Sequence, residues 1–230
     1  MIPPTSLPLL HARVIACERC PRLRSYCVAI GREKRRAFAS WTYWTRPVPG
    51  FGDPRARIWI VGLAPAAHGA NRTGRIFTGD NSGNFLFAAL HRVGLANQAI
   101  SISRDDGLEL TDCYISTTVR CAPPDNKPAP DEIARCSGFL DEEWNLLGRK
   151  RVILALGKIG WDAALTLAAR QGCTIGRPRP RFGHGAETQL APGLHLLGSY
   201  HVSQQNTFTG KLTPVMFDAV LGRAKALCLG

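Results

Sequence analysis

The sequence runs to 230 residues, 45% of them hydrophobic and 20% charged. That is ordinary globular composition, and it excludes both wholesale disorder and a mini-protein held by disulfide staples. The 29 Lys and Arg against 17 Asp and Glu leave a net charge of +12, a field attractive to phosphate that makes nucleic acid the leading partner; the competing reading is an unspecialised basic protein.

The opening stretch MIPPTSLPLLHARVIACERC lacks the apolar core of a secretory signal, and no run reaches the ~18 apolar residues of a membrane span. A cytoplasmic monomer without membrane contact is expected, and in a reducing compartment its eight cysteines point to metal or core roles.

In chain order, residues 20–54 stand apart from the rest of the chain. They hold the basic run GREKRR (31–36) and the aromatics Trp41, Tyr43 and Trp44, and end in the turn-rich PGFGDP. Basic groups beside aromatics suit phosphate contact with base stacking; they equally suit a solvated charge run beside aromatics that seal the N-terminal region onto the domain. IWIVG (Ile58–Gly62) then reads as a buried strand, followed by a helix over 84–93, a β-branched strand over 113–119 and a helix over 130–147. VILAL (Val152–Leu156) is the third strand, residues 159–170 a helix, LHLLG (194–198) the fourth strand, and residues 213–227 the last helix.

This alternation predicts a three-layer α/β/α domain around a central, mainly parallel four-stranded sheet. Ligands bind outside the carboxyl ends of such strands. The rule selects the loops 62–81, 120–130 and 198–211, with the short turn at Gly157 between them. Without an internal repeat or a Gly/Ser linker, no domain boundary is indicated.

Cys17 and Cys20 form a C-x2-C pair, and Cys121 and Cys136 are spaced C-x14-C at the end of the second strand and inside the next helix. Four thiolates close on one centre only if the fold brings the N-terminus to that strand's end, and spacing alone does not choose between zinc and an iron–sulfur cluster. The surrounding tract, RCAPPDNKPAPDEIARC (120–136), resembles the cluster-binding stretch of thermophile-type uracil-DNA glycosylases. The resemblance implies a [4Fe–4S] cluster on Cys17, Cys20, Cys121 and Cys136, and leaves Cys27, Cys113, Cys173 and Cys228 to core packing.

The loop GLAPAAHGANRTGRIFTGD (62–80) resembles motif A of the family 5, or type b, uracil-DNA glycosylases, and HVSQQNTFTG (201–210) resembles their second motif. Family 4 enzymes carry a GEGPG-type motif A, a Thr-Asn after the second strand and an HP-type second motif; here APAA, Ser116-Thr117 and His201-Val202 stand instead. With PGFGDP and the cysteine tract, the resemblance spans roughly residues 17–217. It implies one uracil-DNA-glycosylase-like domain over 1–230, with a cluster-binding segment, about 10–54, packed on it.

The implied activity is monofunctional: the damaged nucleotide is extruded from single- or double-stranded DNA and its N-glycosidic bond hydrolysed, leaving an abasic site for base excision repair. Cleavage leaves positive charge on the sugar and negative charge on the base, so an anion near the sugar and donors around the base are required. The resemblance assigns Asp80 to the water and the sugar; a helix cap is the structural alternative for that residue. His201 donates to a carbonyl oxygen of the leaving base, Phe77 stacks on it, Ala64 lies against it, and Asn126 reads or orients it as part of the catalytic group.

Thr117 stands where family 4 has a base-reading asparagine, and a hydroxyl lacks an amide's paired donor and acceptor. The implied substrates therefore extend beyond uracil to hypoxanthine, hydroxymethyluracil and ethenocytosine. Gln204, Gln205, Asn206 and Phe208 are candidates to fill the gap in the duplex. Lys211, Arg72, Arg75 and Arg35-Arg36 are candidate phosphate contacts. A non-catalytic metal-cluster DNA-binding module is the alternative function. A Rossmann nucleotide enzyme is unsupported, since neither G-x-G-x-x-G nor G-x4-G-K-[ST] occurs.

Overall fold

The computed structural model describes residues 6–229; the outermost parts of the expected 1–230 domain, residues 1–5 and 230, lie outside the described residues. Six strands, β1 (Phe51–Gly52), β2 (Ile58–Gly62), β3 (Cys113–Thr117), β4 (Val152–Leu156), β5 (Glu187–Ala191) and β6 (Leu194–Ser199), form one sheet in the order β1-β3-β2-β4-β6-β5. The four inner strands are parallel, with Ile60 opposite both Ile115 and Leu154, and Leu154 opposite Leu197.

Every residue of β2, β3 and β4 is buried, as expected of strands covered on both faces. Alternation assigns their side chains to two cores. Ile58, Ile60, Ile115 and Leu154 face one layer, which contains α4 (Asn81–Arg92) and α9 (Pro214–Leu227) with Leu86, Phe87, Phe217 and Leu221. Trp59, Val61, Ile153 and Ala155 face the other, formed by α1 (Leu7–Ile15), α6 (Gly138–Leu146) and α7 (Gly157–Arg170) with Leu10, Val14, Phe139 and Trp161. This is the expected three-layer arrangement.

The expected four strands become six because each edge carries an antiparallel strand. β1 is two residues long, and Gly52, at φ +133°, lets the backbone lie so close to β3 that a Cβ there would stand 2.3 Å from the Cys113 carbonyl. β5 lacks an apolar period and carries a register shift between Gln189 and Ala191. The helix expected over 130–147 is divided into α5 (Pro130–Cys136) and α6 at Ser137, whose amide and hydroxyl both take the Ala134 carbonyl.

Two helices precede the sheet where none was expected: α1, and α2 (Pro21–Glu33), which opens on Pro21 with Cys20 at its N-cap. Two single-turn helices, α3 (Ala70–Thr73) and α8 (Gln204–Thr207), lie within the long loops after β2 and β6. No helix among the described residues is long and apolar enough to cross a membrane.

Candidate active site and cysteine recess

The loop from β2 to α4 carries the first part of the site. Phe77 takes φ +50°, a left-handed conformation costly for a bulky residue, and its ring lies over the carboxyl end of β2. Gly62 makes room for it there, since a Cβ would stand 2.9 Å from the Phe77 ring. On the other side the Phe77 carbonyl presses on the first turn of α4, where a Cβ on Gly83 would come to 1.8 Å.

Asp80 is the N-cap of α4, its Oδ1 accepting from Gly83 N at 2.9 Å. Its Oδ2 lies against Gly69, where a Cβ would stand 2.0 Å away. One carboxylate oxygen therefore holds the helix while the other is packed on glycine backbone. Burial holds the carboxyl above the usual aspartate range, against the pull of the Gly83 and Ser82 amides and of Arg72.

His201 follows β6, with its ring centroid 6.1 Å from that of Phe77. Gly157, at φ +85°, faces it from the start of α7, a Cβ there lying 3.4 Å from His201 Cβ. Burial lowers the imidazole to about 4, so at neutral pH the ring is uncharged and carries one N–H donor and one acceptor. Thr117 lies beside Gly62 and its hydroxyl donates to the Val119 carbonyl at 2.8 Å. Ala64 is half-buried in the same loop.

Asn126 and Asp125 take consecutive left-handed conformations, φ +55° and +53°, in a turn after β3, and both are exposed. Asn206 is not free to enter a duplex, because its Nδ2 donates to the His201 carbonyl at 2.8 Å. Gln204 and Gln205 are exposed, and Phe208 at the loop's apex is 73% exposed. Lys211 is exposed, its Nζ 5.0 Å from the centroid of Tyr200.

Two of the expected phosphate contacts are corrected. Arg72 is 3% exposed: its guanidinium lies 3.9 Å from the ring centroid of Phe38 and 4.1 Å from that of Trp41, and donates to the His68 and Gly79 carbonyls. Arg75 is 5% exposed and pairs with Asp106 at 2.7 Å while donating to Thr78 and Ser101. Both are internal struts of the motif A loop. The aromatics of residues 38–44 accordingly seal this loop rather than offering faces to bases: Trp44 packs on Gly74, and the Tyr43 hydroxyl meets His68 Nδ1 at 3.0 Å. Arg35 and Arg36 remain exposed.

Cys17, Cys20, Cys121 and Cys136 line one recess, together with Arg19, Arg24, Arg120, Glu132, Arg135 and Phe139. Arg19 Nε donates to Cys17 Sγ at 3.3 Å. Burial pushes the Cys20 and Cys136 thiols up, the latter to about 12. No group of three or more His, Cys, Asp or Glu among the described residues converges closely enough to hold a metal ion; the four sulfurs are set around the walls instead. Cys27 is buried beside Cys20 and Cys121, in keeping with the core role expected of it; the sequence did not single out Arg120, which is 2% exposed and pairs with fully buried Glu143 at 2.5 Å. Glu143 and His11 both meet the buried Tyr114 hydroxyl, at 3.3 and 2.8 Å.

A family model described as the uracil DNA glycosylase superfamily matches residues 49–225. The chain is 53% identical over 219 residues to a type-5 uracil-DNA glycosylase of Mycobacterium tuberculosis, covering 95% of this chain and 80% of that one. It is 51% identical over 213 residues to the type-5 uracil-DNA glycosylase of Thermus thermophilus, covering 92% and 94%. Against a type-4 uracil-DNA glycosylase of Archaeoglobus fulgidus the identity is 30% over 190 residues, covering 76% and 87%. An Asp80 cap, a Phe77 platform and a neutral His201 at the carboxyl edge of a parallel sheet thus sit on a chain that belongs to the uracil-DNA glycosylase superfamily, in its type-5 branch.

Proposed function

We propose that this chain, a member of a family of N-glycosyl hydrolases, excises uracil from DNA and leaves an abasic site. The observation that carries the reading is the placing of Phe77 and His201 side by side, with Asp80 three residues on at the helix start. The flipped base stacks on Phe77 over Gly62 and against Ala64. As the C1′–N1 bond breaks, its electron pair passes to the base, and neutral His201 donates its N–H to a base carbonyl oxygen, where the charge develops. Asp80 stabilises the sugar cation and orients the water whose oxygen bonds to C1′; the water's proton leaves to the carboxylate and then to solvent. Asn126 approaches the base from the β3 loop.

The base range extends to hypoxanthine, hydroxymethyluracil and ethenocytosine. Thr117 supports this, because its hydroxyl is committed to Val119 and provides no amide pair to reject other bases. Phe208, with Gln204 and Gln205, enters the gap left in the duplex, and Lys211 with Arg35 and Arg36 meets phosphate.

A [4Fe–4S] cluster is the group the recess suits best. It has four thiols, the donor set such clusters take, and Arg19 on its wall already donates to one of the four sulfurs, that of Cys17. The cluster would bind the N-terminal segment to the end of β3, on the same loop as Asn126.

The test is incubation of the purified protein with end-labelled duplexes carrying one uracil, one hypoxanthine or no lesion, followed by alkaline cleavage at abasic sites. Lesion-dependent cutting, reduced about 10²-fold or more in Asp80→Ala and in His201→Ala, is expected. Cutting retained by both variants would discard the assigned roles. No cutting by cluster-loaded protein would leave a non-catalytic metal-cluster DNA-binding module.

A further inference from the structure

The loop joining α7 to β5 reads QGCTIGRPRPRFGHGA, and no acidic residue occurs between Asp162 and Glu187. It ends at the same rim as His201, because β5 runs antiparallel to β6: Gly185 N donates to the Gly198 carbonyl and Gly198 N to the Ala186 carbonyl, each at 2.8 Å. Phe182 packs edge-on against both Trp161 and Tyr200, and the His184 ring stacks on Tyr200, the residue before His201. Lys211 reaches the same Tyr200 ring.

The loop is held down along its length. Trp161 Nε1 donates to the Pro180 carbonyl at 3.0 Å, and Arg179 donates to the Asp162 carbonyl and the Thr166 hydroxyl of α7. Alternating prolines stiffen the stretch between these anchors. Arg179 is committed to α7, whereas its neighbours two residues to either side, Arg177 and Arg181, are exposed and have no side-chain partner among the described residues. The acids that flank the arm in sequence are engaged, Asp162 by Lys158 and Glu187 by Arg223. Two free guanidinium groups thus stand on a stiff, acid-free arm beside the site.

We propose that this arm is a phosphate-binding element in which Arg177 and Arg181 grip the DNA backbone to one side of the flipped nucleotide. It rests on the glycosylase reading and extends the DNA footprint beyond the two motif loops. Guanidinium forks match phosphate oxygens, and a stiff arm loses little conformational freedom when it binds. The contact carries no base information, so the arm serves damaged and undamaged duplexes alike.

The experiment measures the affinity of wild-type, Arg177→Ala/Arg181→Ala and Arg35→Ala/Arg36→Ala proteins for duplexes with and without a stable abasic-site analogue across a salt series. Both arm residues are exposed, so their removal should leave the melting temperature unchanged. Each lost phosphate contact lowers the slope of log K against log salt by about 0.9, so the arm double variant should lose about 1.8 from the slope and bind both duplexes more weakly by the same factor. A slope unchanged in the arm variant, with wild type excising uracil normally, would overturn the arm alone. Wild-type protein with neither excision nor salt-dependent DNA binding would overturn the arm and the glycosylase reading together.

Discussion

Gly69 and Asp80 are in contact through the one atom glycine lacks: a Cβ on Gly69 would stand 2.0 Å from Asp80 Oδ2 and 2.8 Å from its Cγ. The small residue of motif A sets the position of the carboxylate eleven residues later. Gly69→Ala should therefore act as a displaced Asp80. We expect uracil excision to fall about 10²-fold, the scale of a misplacement of about 1 Å, with far-UV circular dichroism unchanged. An alanine variant with wild-type kcat would show that the carboxylate can move without consequence.

Burial moves the two groups proposed to act on the base and sugar in opposite directions, Asp80 up and His201 down. Burial raises Asp80, so the acid limb of kcat should lie above the usual aspartate range; Asp80→Asn should abolish that limb along with most of the activity.

His201 and His11 are both lowered from 6.5 to about 4 by burial, His11 with Arg120 adding to the effect. The unfolded chain takes up these protons first, so stability is complete above pH 6.5 and declines as pH falls to about 4. Each contributes up to about 3 kcal/mol across that window, an upper bound because both rings are only partly buried. Urea unfolding of His11→Gln and His201→Gln at pH 7 and pH 4.5 should show a smaller difference than wild type.

Arg120 and Glu143 form an ion pair sealed from water, with Arg120 at 2% and Glu143 at 0% exposure. Removing one partner leaves the other charge buried alone. Arg120→Met should cost about 3–5 kcal/mol in urea unfolding, and the double variant Arg120→Met/Glu143→Met should recover a large part of that loss. Equal destabilisation by the single and double variants would contradict this account.

Of five cysteines on or beside the recess, four line it and the fifth, Cys27, lies behind Cys121, its Sγ donating to the Ala122 carbonyl at 3.6 Å. Broad visible absorbance and about four irons per chain are expected of the purified protein. Cys17→Ser and Cys121→Ser should lose both, and Cys27→Ala should keep both. A colourless preparation loaded with zinc would exclude the iron–sulfur cluster.

The four inner strands and their loops are legible in the sequence because parallel strands buried on both faces carry continuous apolar runs such as VILAL. The edge strands are not: β1 has two residues and β5 alternates Glu, Thr and Gln with little apolar content. Asp80, Phe77 and His201 are readable as motif positions, and the structure sets Phe77 beside His201 with Asp80 at the start of α4. Arg72 and Arg75 look like phosphate contacts in the sequence because charge and proximity to a motif do not tell a buried strut from an exposed contact; Phe38 and Trp41, the signal, precede Arg72 by 34 and 31 residues. Arg177 and Arg181 carry no motif to mark them. Their use follows from β5 running back to the His201 rim, which only the fold reveals.

The clamp on Arg72 has a bearing on how this protein would age. Its guanidinium is held between Phe38 and Trp41 and donates to Gly79, the residue before Asp80. A peptide-bond break in the exposed stretch around Ala39 and Ser40 would sever Phe38 from Trp41 while leaving the sheet and its two cores intact. Such a clipped molecule would keep its fold and its mass on a native gel while loosening the guanidinium that holds the Gly79 carbonyl, so a nick in the N-terminal segment would register first in the loop that carries Asp80.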